Sequence, residues 1–415
     1  MELSSALLQS AVHALDRVLD FRYPADAALS AYFRDNHKLG VRDRAFVAEA
    51  VFGVLRRYRS LAAAVPAVNP RTLLVAWLLK VRGMNTATLE RFAKPELLQH
   101  IRAARSDELP LGVVAELPDW VVEKLLPTTP EADLLALGRA LQQPAPLDVR
   151  VNTLKADRAA VRTQLVAEGF AVGTTPYSPW GLRFRDHPAI NRHALFLDGT
   201  LEVQDEGSQL LALLVGARRG EMVCDFCAGA GGKTLALGAA MASSGRLYAF
   251  DVAEKRLARL KPRLARSGLS NVMPQRIESE NDARVKRLAG KLDRVLVDAP
   301  CSGFGTLRRN PDLKFRQSPA SVTELTQKQA GILRAAARLV KPGGRLVYAT
   351  CSLLPEENEG IVEAFLAEDG FEPVSAAALL AQQGVDLDTG DTLKLSPALH
   401  GTDGFFAVAM VKKAA

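Results

Sequence analysis

Two cysteines stand directly after apolar runs of the chain: DRVLVDAP is followed by Cys301-Ser302-Gly303, and GRLVYAT by Cys351-Ser352. If the two runs are neighbouring parallel strands, both thiols come to one carboxyl edge, the edge at which open α/β sheets hold their ligands. A free cysteine is most often a small core hydrophobe. Two at strand ends, within Asp-Ala-Pro-Cys and Thr-Cys-Ser, point instead to nucleophilic thiol chemistry, in which one sulfur attacks and the second group helps. Asp298, three residues before Cys301, brings a carboxyl group to the same edge.

A second cluster follows the run MVCDF: Cys227-Ala228-Gly229-Ala230-Gly231-Gly232-Lys233. Its glycines let the backbone approach a ligand closely, and the helix expected after it starts with unpaired N–H groups, which makes a nucleotide-type pocket. The spacing is neither a complete Walker A motif nor the six-position dinucleotide fingerprint. The next run, LYAFD, ends at Asp251, 22 residues beyond Gly229, where an acid can accept both ribose hydroxyls of an adenosine. Asp282, in NDARV after the third run, is placed to accept from an adenine amino group, an exposed loop acid being the alternative. Lys233 could assist the chemistry nearby. Cys224 and Cys227 have CxxC spacing but no second pair, Cys224 lies inside its run, and none of the six histidines has metal or triad spacing; no metal is expected.

The elements that position these residues read plainly. The runs MVCDF, LYAFD, VMPQRI, RVLVDAP and RLVYAT alternate with helical stretches such as AEKRLARLKPRLARSG, which predicts a mostly parallel, doubly wound sheet. Upstream, LDVRVNT, ADRAAVRTQLVAEGF, GLRFRD and LEVQDEGSQL form a small α/β module. Residues 1 to about 110 are helical, with Phe46, Val47, Ala50, Val51, Val54 and Leu55 on one stripe. Arg42, Arg44, Arg56, Arg57 and Arg59 nearby suit either phosphates or a solvated face. The text from 106 to 147 (SDELP, TTPEAD, QQPAP) is rich in proline and polar residues, marks a boundary, and still contains two short helices; 375–392 is left open.

Composition sets the outer limits. A chain of 415 residues implies two or three domains, and 48% hydrophobic with 24% charged residues implies folding throughout. The excess of 53 Lys and Arg over 46 Asp and Glu gives +7 and suits a polyanionic partner. Four cysteines without regular spacing do not make a disulfide framework. The N-terminus lacks a signal-like run and nothing reaches membrane-spanning length, so a cytoplasmic monomer with no membrane partner is expected.

Methylation of cytosine at C5 fits this combination. C5 of cytosine is a poor nucleophile, and thiolate attack at C6 turns the ring into an enamine able to take a methyl group; the C5 proton must then leave and the thiol be eliminated, which gives a second thiol work to do. Asp298 can reach N3 and stabilise the adduct. The residues alone do not say which cysteine attacks.

DFCAGAGGKT, FDVAEKRL, VDAPCSGFGTLRRNPD and YATCSLLPEENE together resemble the Sun-type RNA cytosine-C5 methyltransferases. The resemblance runs along nearly the whole chain, since RVNTLKAD and VQDEGSQL are similar to the family's preceding small domain, and DRAFVAEAVFGVLRR resembles a helical domain related to the antitermination factor NusB. It implies an α/β, Rossmann-like class I methyltransferase domain over 216–415, a small RRM-like α/β RNA-binding domain over 141–215, and a helical NusB-like RNA-binding domain with linker over 1–140. It further implies S-adenosylmethionine as cofactor, RNA, and 16S ribosomal RNA in particular, as substrate, Cys351 as the attacking thiol and Cys301 as the thiol that promotes release. Cys227, Ala228, Gly229, Ala230, Gly231, Gly232, Lys233, Asp251, Arg256, Asp282 and Asp298 are implied to contact the cofactor or lie beside it. One departure is Gly229-Ala230 where many relatives carry Ala-Pro, which loosens the loop without removing a polar contact. Two rivals remain: an NAD enzyme, which should show the dinucleotide fingerprint, and a non-catalytic RNA-binding factor for ribosome assembly or antitermination, which the helical region and basic balance would also suit.

Overall fold

The computed structural model describes residues 4–105, 109–368 and 370–414. The proline-containing run SDELP lies partly outside them. The chain forms two compact units, the first gathering the N-terminal residues through Pro144 together with a later segment, Thr306–Pro319, and the second holding Ala145–Gly305 and the chain from Ala320 on.

The first unit is helical because its apolar residues recur at helical spacing and its turns carry capping residues. Helix Val41–Arg56 buries the stripe Phe46 to Leu55, and helix Pro70–Lys80 starts with a capping box in which Asn69 and Thr72 serve each other's backbone. The 106–147 region supplies helices Asp119–Leu125 and Glu131–Leu141. Within the unit, the returning segment is held by a buried ion pair, Lys314 Nζ to Glu116 Oε2 at 3.1 Å with both side chains 3% exposed. Phe315 stacks on Phe21 at 4.6 Å, and Asp312 accepts from the Ala25 N–H. The arginines read as phosphate ligands or a solvated face divide differently here. Arg56 donates to the Arg308 carbonyl, Arg57 to Gln142 at 2.9 Å, and Arg59 forks onto both oxygens of Asp119. These three hold the unit together.

The second unit contains two sheets. The smaller has strands β1 (Leu147–Val151), β2 (Val172–Thr174), β3 (Gly181–Phe184) and β4 (Leu201–Val203) in the order β2-β3-β1-β4. All its pairings are antiparallel, and helix Arg158–Ala167 covers one face with Val161 and Leu165. The three-residue β2 was not among the strands read from sequence; Val172-Gly173-Thr174 carries a single apolar side chain.

The larger sheet comprises β5 (Met222–Asp225), β6 (Arg246–Asp251), β7 (Val272–Arg276), β8 (Leu292–Asp298), β9 (Val340–Thr350), β10 (Phe371–Val374), β11 (Leu393–Leu395) and β12 (Phe405–Lys412). Its order is β10-β12-β9-β8-β5-β6-β7, with β11 beside β12. Strands β7, β6, β5, β8 and β9 are parallel, whereas β12 runs antiparallel to β9. Leu210, Leu214, Leu237 and Met241 belong to one buried core cluster, Leu333, Ala336, Leu339 and Ile361 to another. The chain leaves β5 toward β6 on one side and reaches β8 on the other, so the strand order reverses between β5 and β8. A crevice forms at the carboxyl ends of such a pair. The loops bearing Cys227 and Cys301 follow these two strands. Among the described residues no helix is long and apolar enough to cross a membrane.

Candidate active site

The glycine-rich loop is pinned by the acid at the end of β6. Asp251, 5% exposed, accepts from the Gly229 N–H at 2.8 Å through one oxygen and from the Ala253 N–H at 2.7 Å through the other. Gly231 has φ +83°, and a Cβ there would collide with the Leu260 side chain, so glycine is required on both counts. Arg263 donates to the Ala230 carbonyl at 2.6 Å and also pairs with Glu202 on β4 at 2.9 Å, which ties the loop to the small sheet.

Asp225, at the end of β5, was absent from the sequence reading. It is 1% exposed; one oxygen accepts from Thr234 Oγ1 at 2.6 Å and the other, Oδ1, has no hydrogen-bond partner. Burial, reinforced by the charge of Asp298 and opposed by Thr234, pushes its carboxyl up to about 7. Burial and the charges of Asp225, Asp298 and Asp251 likewise push the Cys227 thiol well up, with Arg256 the opposing charge. Arg256 therefore lies within electrostatic reach of the loop. Asp282 accepts from the Glu278 and Arg284 N–H groups, capping its own short helix, and these bonds pull its carboxyl down.

The second loop pair is set by strand register. Asp298 on β8 pairs with Ala349 on β9, so the residues that follow each strand emerge side by side. Cys301 Sγ and Cys351 Sγ are 3.3 Å apart. Lys233 Nζ lies 2.6 Å from Asp298 Oδ2 and faces the Phe405 ring. Burial pulls the Lys233 ammonium down, but the charge and hydrogen bond of Asp298 outweigh it and the net shift is upward. The hydrogen bond to Cys351, then burial and the nearby charges of Cys351 and Glu357, push the Cys301 thiol well up, and either sulfur can be the donor in the pair.

Beneath the two thiols lies an acid that sequence reading passed over. Glu357 is fully buried, and both Ser302 and Ser352 donate to it. In the sequence it stands among Glu356 and Glu359, in a run that looks like a solvated face. Cys224 is fully buried within β5, His400 accepts from the Ser396 N–H, and no group of three potential metal ligands occurs among the described residues.

Residues 212–411 match the family described as 16S rRNA methyltransferase RsmB/F. A Synechocystis protein named as a probable ribosomal RNA small subunit methyltransferase B is 32% identical over 91% of this chain and 93% of its own length. The chain belongs to the RsmB/F methyltransferase family. A second RsmB/F match, to the family's ferredoxin-like domain, covers 117–191. Ribosomal RNA small subunit methyltransferase B of Sodalis glossinidius is 33% identical over 80% of this chain and 73% of that protein. Among solved structures, a methyltransferase homologue from Pyrococcus horikoshii superposes with TM-score 0.64 at 27% identity, covering 74% of this chain and 99% of that one. PH0851 shares the fold over 99% of this chain and all of that one with TM-score 0.80 at 24% identity. RsmB/F membership and a Rossmann-like methyltransferase sheet are what the four motifs implied.

Proposed function

We propose that the protein methylates C5 of a cytosine in 16S ribosomal RNA, with S-adenosylmethionine as methyl donor and a covalent bond between Cys351 and C6 of the base. The observation that carries this reading is the pair of sulfurs 3.3 Å apart at the ends of adjacent strands. When bound, the cofactor supplies an electrophilic methyl group. The residues at the β5 end fit it: three carboxylates, Asp225, Asp251 and Asp298, surround the glycine loop, and the bare buried oxygen of Asp225 suits a cationic ammonium. Asp251 would meet the ribose, with Cys227 to Gly232 lining the approach, and Arg256 and Asp282 would complete the pocket.

In this reading Cys301 acts as the donor of the sulfur–sulfur contact and Cys351, as thiolate, adds to C6. Addition forms the S–C6 bond and moves the ring electrons toward C5, and Asp298, steadied by Lys233, holds N3 of the adduct. Once the Cys351 sulfur is bonded to carbon, Cys301 loses the hydrogen bond that is the largest cause of its raised pKa. It then gives up its proton to solvent more readily, and the resulting thiolate can take the C5 proton while the C5–H electrons form the C5=C6 bond and the S–C6 bond breaks with Cys351 leaving as thiolate.

Cys351→Ala should abolish methyl transfer to small-subunit RNA, measured with labelled cofactor. Cys301→Ala should instead leave protein attached to RNA, visible as a slow band on a denaturing gel. Normal methylation by Cys351→Ala would reverse the assignment.

A further inference from the structure

Each of the two cysteines is followed by a serine, and both serines turn inward to one carboxylate. Ser302 is fully buried and Ser352 is 2% exposed. Glu357 Oε1 accepts from the Ser302 N–H at 2.8 Å and from Gln329 Nε2 at 3.0 Å. Its Oε2 accepts from Ser302 Oγ at 2.5 Å and from Ser352 Oγ. Gln329 Nε2 also donates to the Pro300 carbonyl at 2.9 Å, so the residues on both sides of Cys301 are held. The neighbouring Asn358 does the same for Cys351, accepting from Thr350 Oγ1 at 2.5 Å and donating to the Ser352 carbonyl at 3.1 Å. Tyr348 fixes the Glu357 carbonyl at 2.7 Å.

We propose that Glu357 is a positioning residue that sets the separation of the Cys301 and Cys351 sulfurs, and through it the step in which methylated product is released. The argument rests on the cysteine chemistry proposed above. A carboxylate that only stabilised the fold would have no reason to select the residue next to each thiol. A buried acceptor serving four donors is rigid, because displacing any one leaves a polar group unpaired. Two loops hung from it move together. Glu357 also contributes charge: it is among the groups that keep Cys301 protonated, alongside Cys351. Tyr348 lies close enough to feel Cys301, and the Lys233 and Asp298 pair faces Cys351 from the other side.

Glu357→Gln keeps the shape but offers one acceptor oxygen where there were two, and removes the charge. Displacing reacting groups by a fraction of an ångström should lower kcat about ten- to a hundredfold, while KM for RNA and cofactor stays within about twofold. During turnover a covalent protein–RNA band should build up. With the Glu357 charge gone, Cys301 should lose its proton more easily, so the pH limb that governs release should move to lower pH. A substitution that merely softened the fold would reduce the active fraction and leave that limb in place. Wild-type turnover and pH profile in Glu357→Gln, or a loss of activity proportional to unfolded protein with no band and no moved limb, would overturn the proposal. If that variant does not fold, the double variant Ser302→Ala, Ser352→Ala decides: slowed release with an accumulating band supports it, and normal turnover with no band overturns it. RNA carrying 5-fluorocytosine separates the two levels, since its C5 substituent cannot leave as a proton. If wild-type protein forms no trapped adduct with it, the cytosine chemistry fails whatever Glu357 does.

Discussion

Asp225 carries a carboxyl raised to about 7 and an oxygen with no partner: burial, reinforced by the charge of Asp298, outweighs the Thr234 hydrogen bond and the Lys233 charge that oppose it. Its folded pKa lies above the ordinary carboxylate range, so its contribution to stability is complete at low pH and is lost as pH rises through about 7. A cationic ligand reverses the preference, because it favours the ionised form. Cofactor affinity should therefore rise with pH by up to about tenfold per unit below 7, with proton release on binding. Calorimetry in buffers of different ionisation enthalpy measures both, and Asp225→Asn should bind more weakly with a flat pH response. The residues legible in sequence, Cys301, Cys351, Asp298 and Asp251, are those that end an apolar run, where the change from buried to reactive is written in the pattern. Asp225 is one residue inside such a run, between Cys224 and Phe226, and Glu357 sits in an acidic stretch. Their burial comes from tertiary packing, which no local pattern records.

Elements show the same division. The five parallel strands were readable as apolar runs set between helical stretches, and the helical stripe at Phe46 to Leu55 because it repeats its period. The segment Thr306–Pro319 was not, since it follows directly on the Cys301 loop and reads as part of the catalytic region, yet it packs in the helical unit. What fixes it there is a set of contacts by Asp312, Lys314 and Phe315. Burial pulls the Lys314 ammonium down and Glu116 holds it up. Glu116 also accepts from the Arg59 and Ser60 N–H groups and from Ser60 Oγ. Glu116→Ala should cost about 3–5 kcal/mol, because it strands a buried charge together with those donors. Lys314→Met should cost distinctly less, since Glu116 keeps its other partners. Thermal melts of the two variants test the order.

At the scale of the molecule, the excess of basic residues is unevenly used. Arg56, Arg57 and Arg59 are spent inside the helical unit, whereas Lys255, Arg259 and Lys261 on helix Glu254–Ser267 are exposed. RNA binding by neutralised phosphates releases counterions, so affinity should fall steeply between about 50 and 200 mM salt. Replacing Lys255, Arg259 and Lys261 together by alanine should make the log–log slope shallower by about 2, at roughly 0.7 per contact on single-stranded RNA. An unchanged slope in filter-binding assays would remove that helix from the RNA surface.

The return of Thr306–Pro319 to the helical unit has a bearing on how the protein is made. Translation delivers the first 144 residues long before Lys314, so during synthesis the Glu116 carboxylate and the ring faces of Phe21 and Tyr58 wait without the partners that complete them. The amino-terminal unit can reach its final stability only after the β8 strand and the Cys301 loop have emerged from the ribosome. A fragment ending at Pro144 should accordingly melt below the same fragment supplied with a synthetic 306–319 peptide.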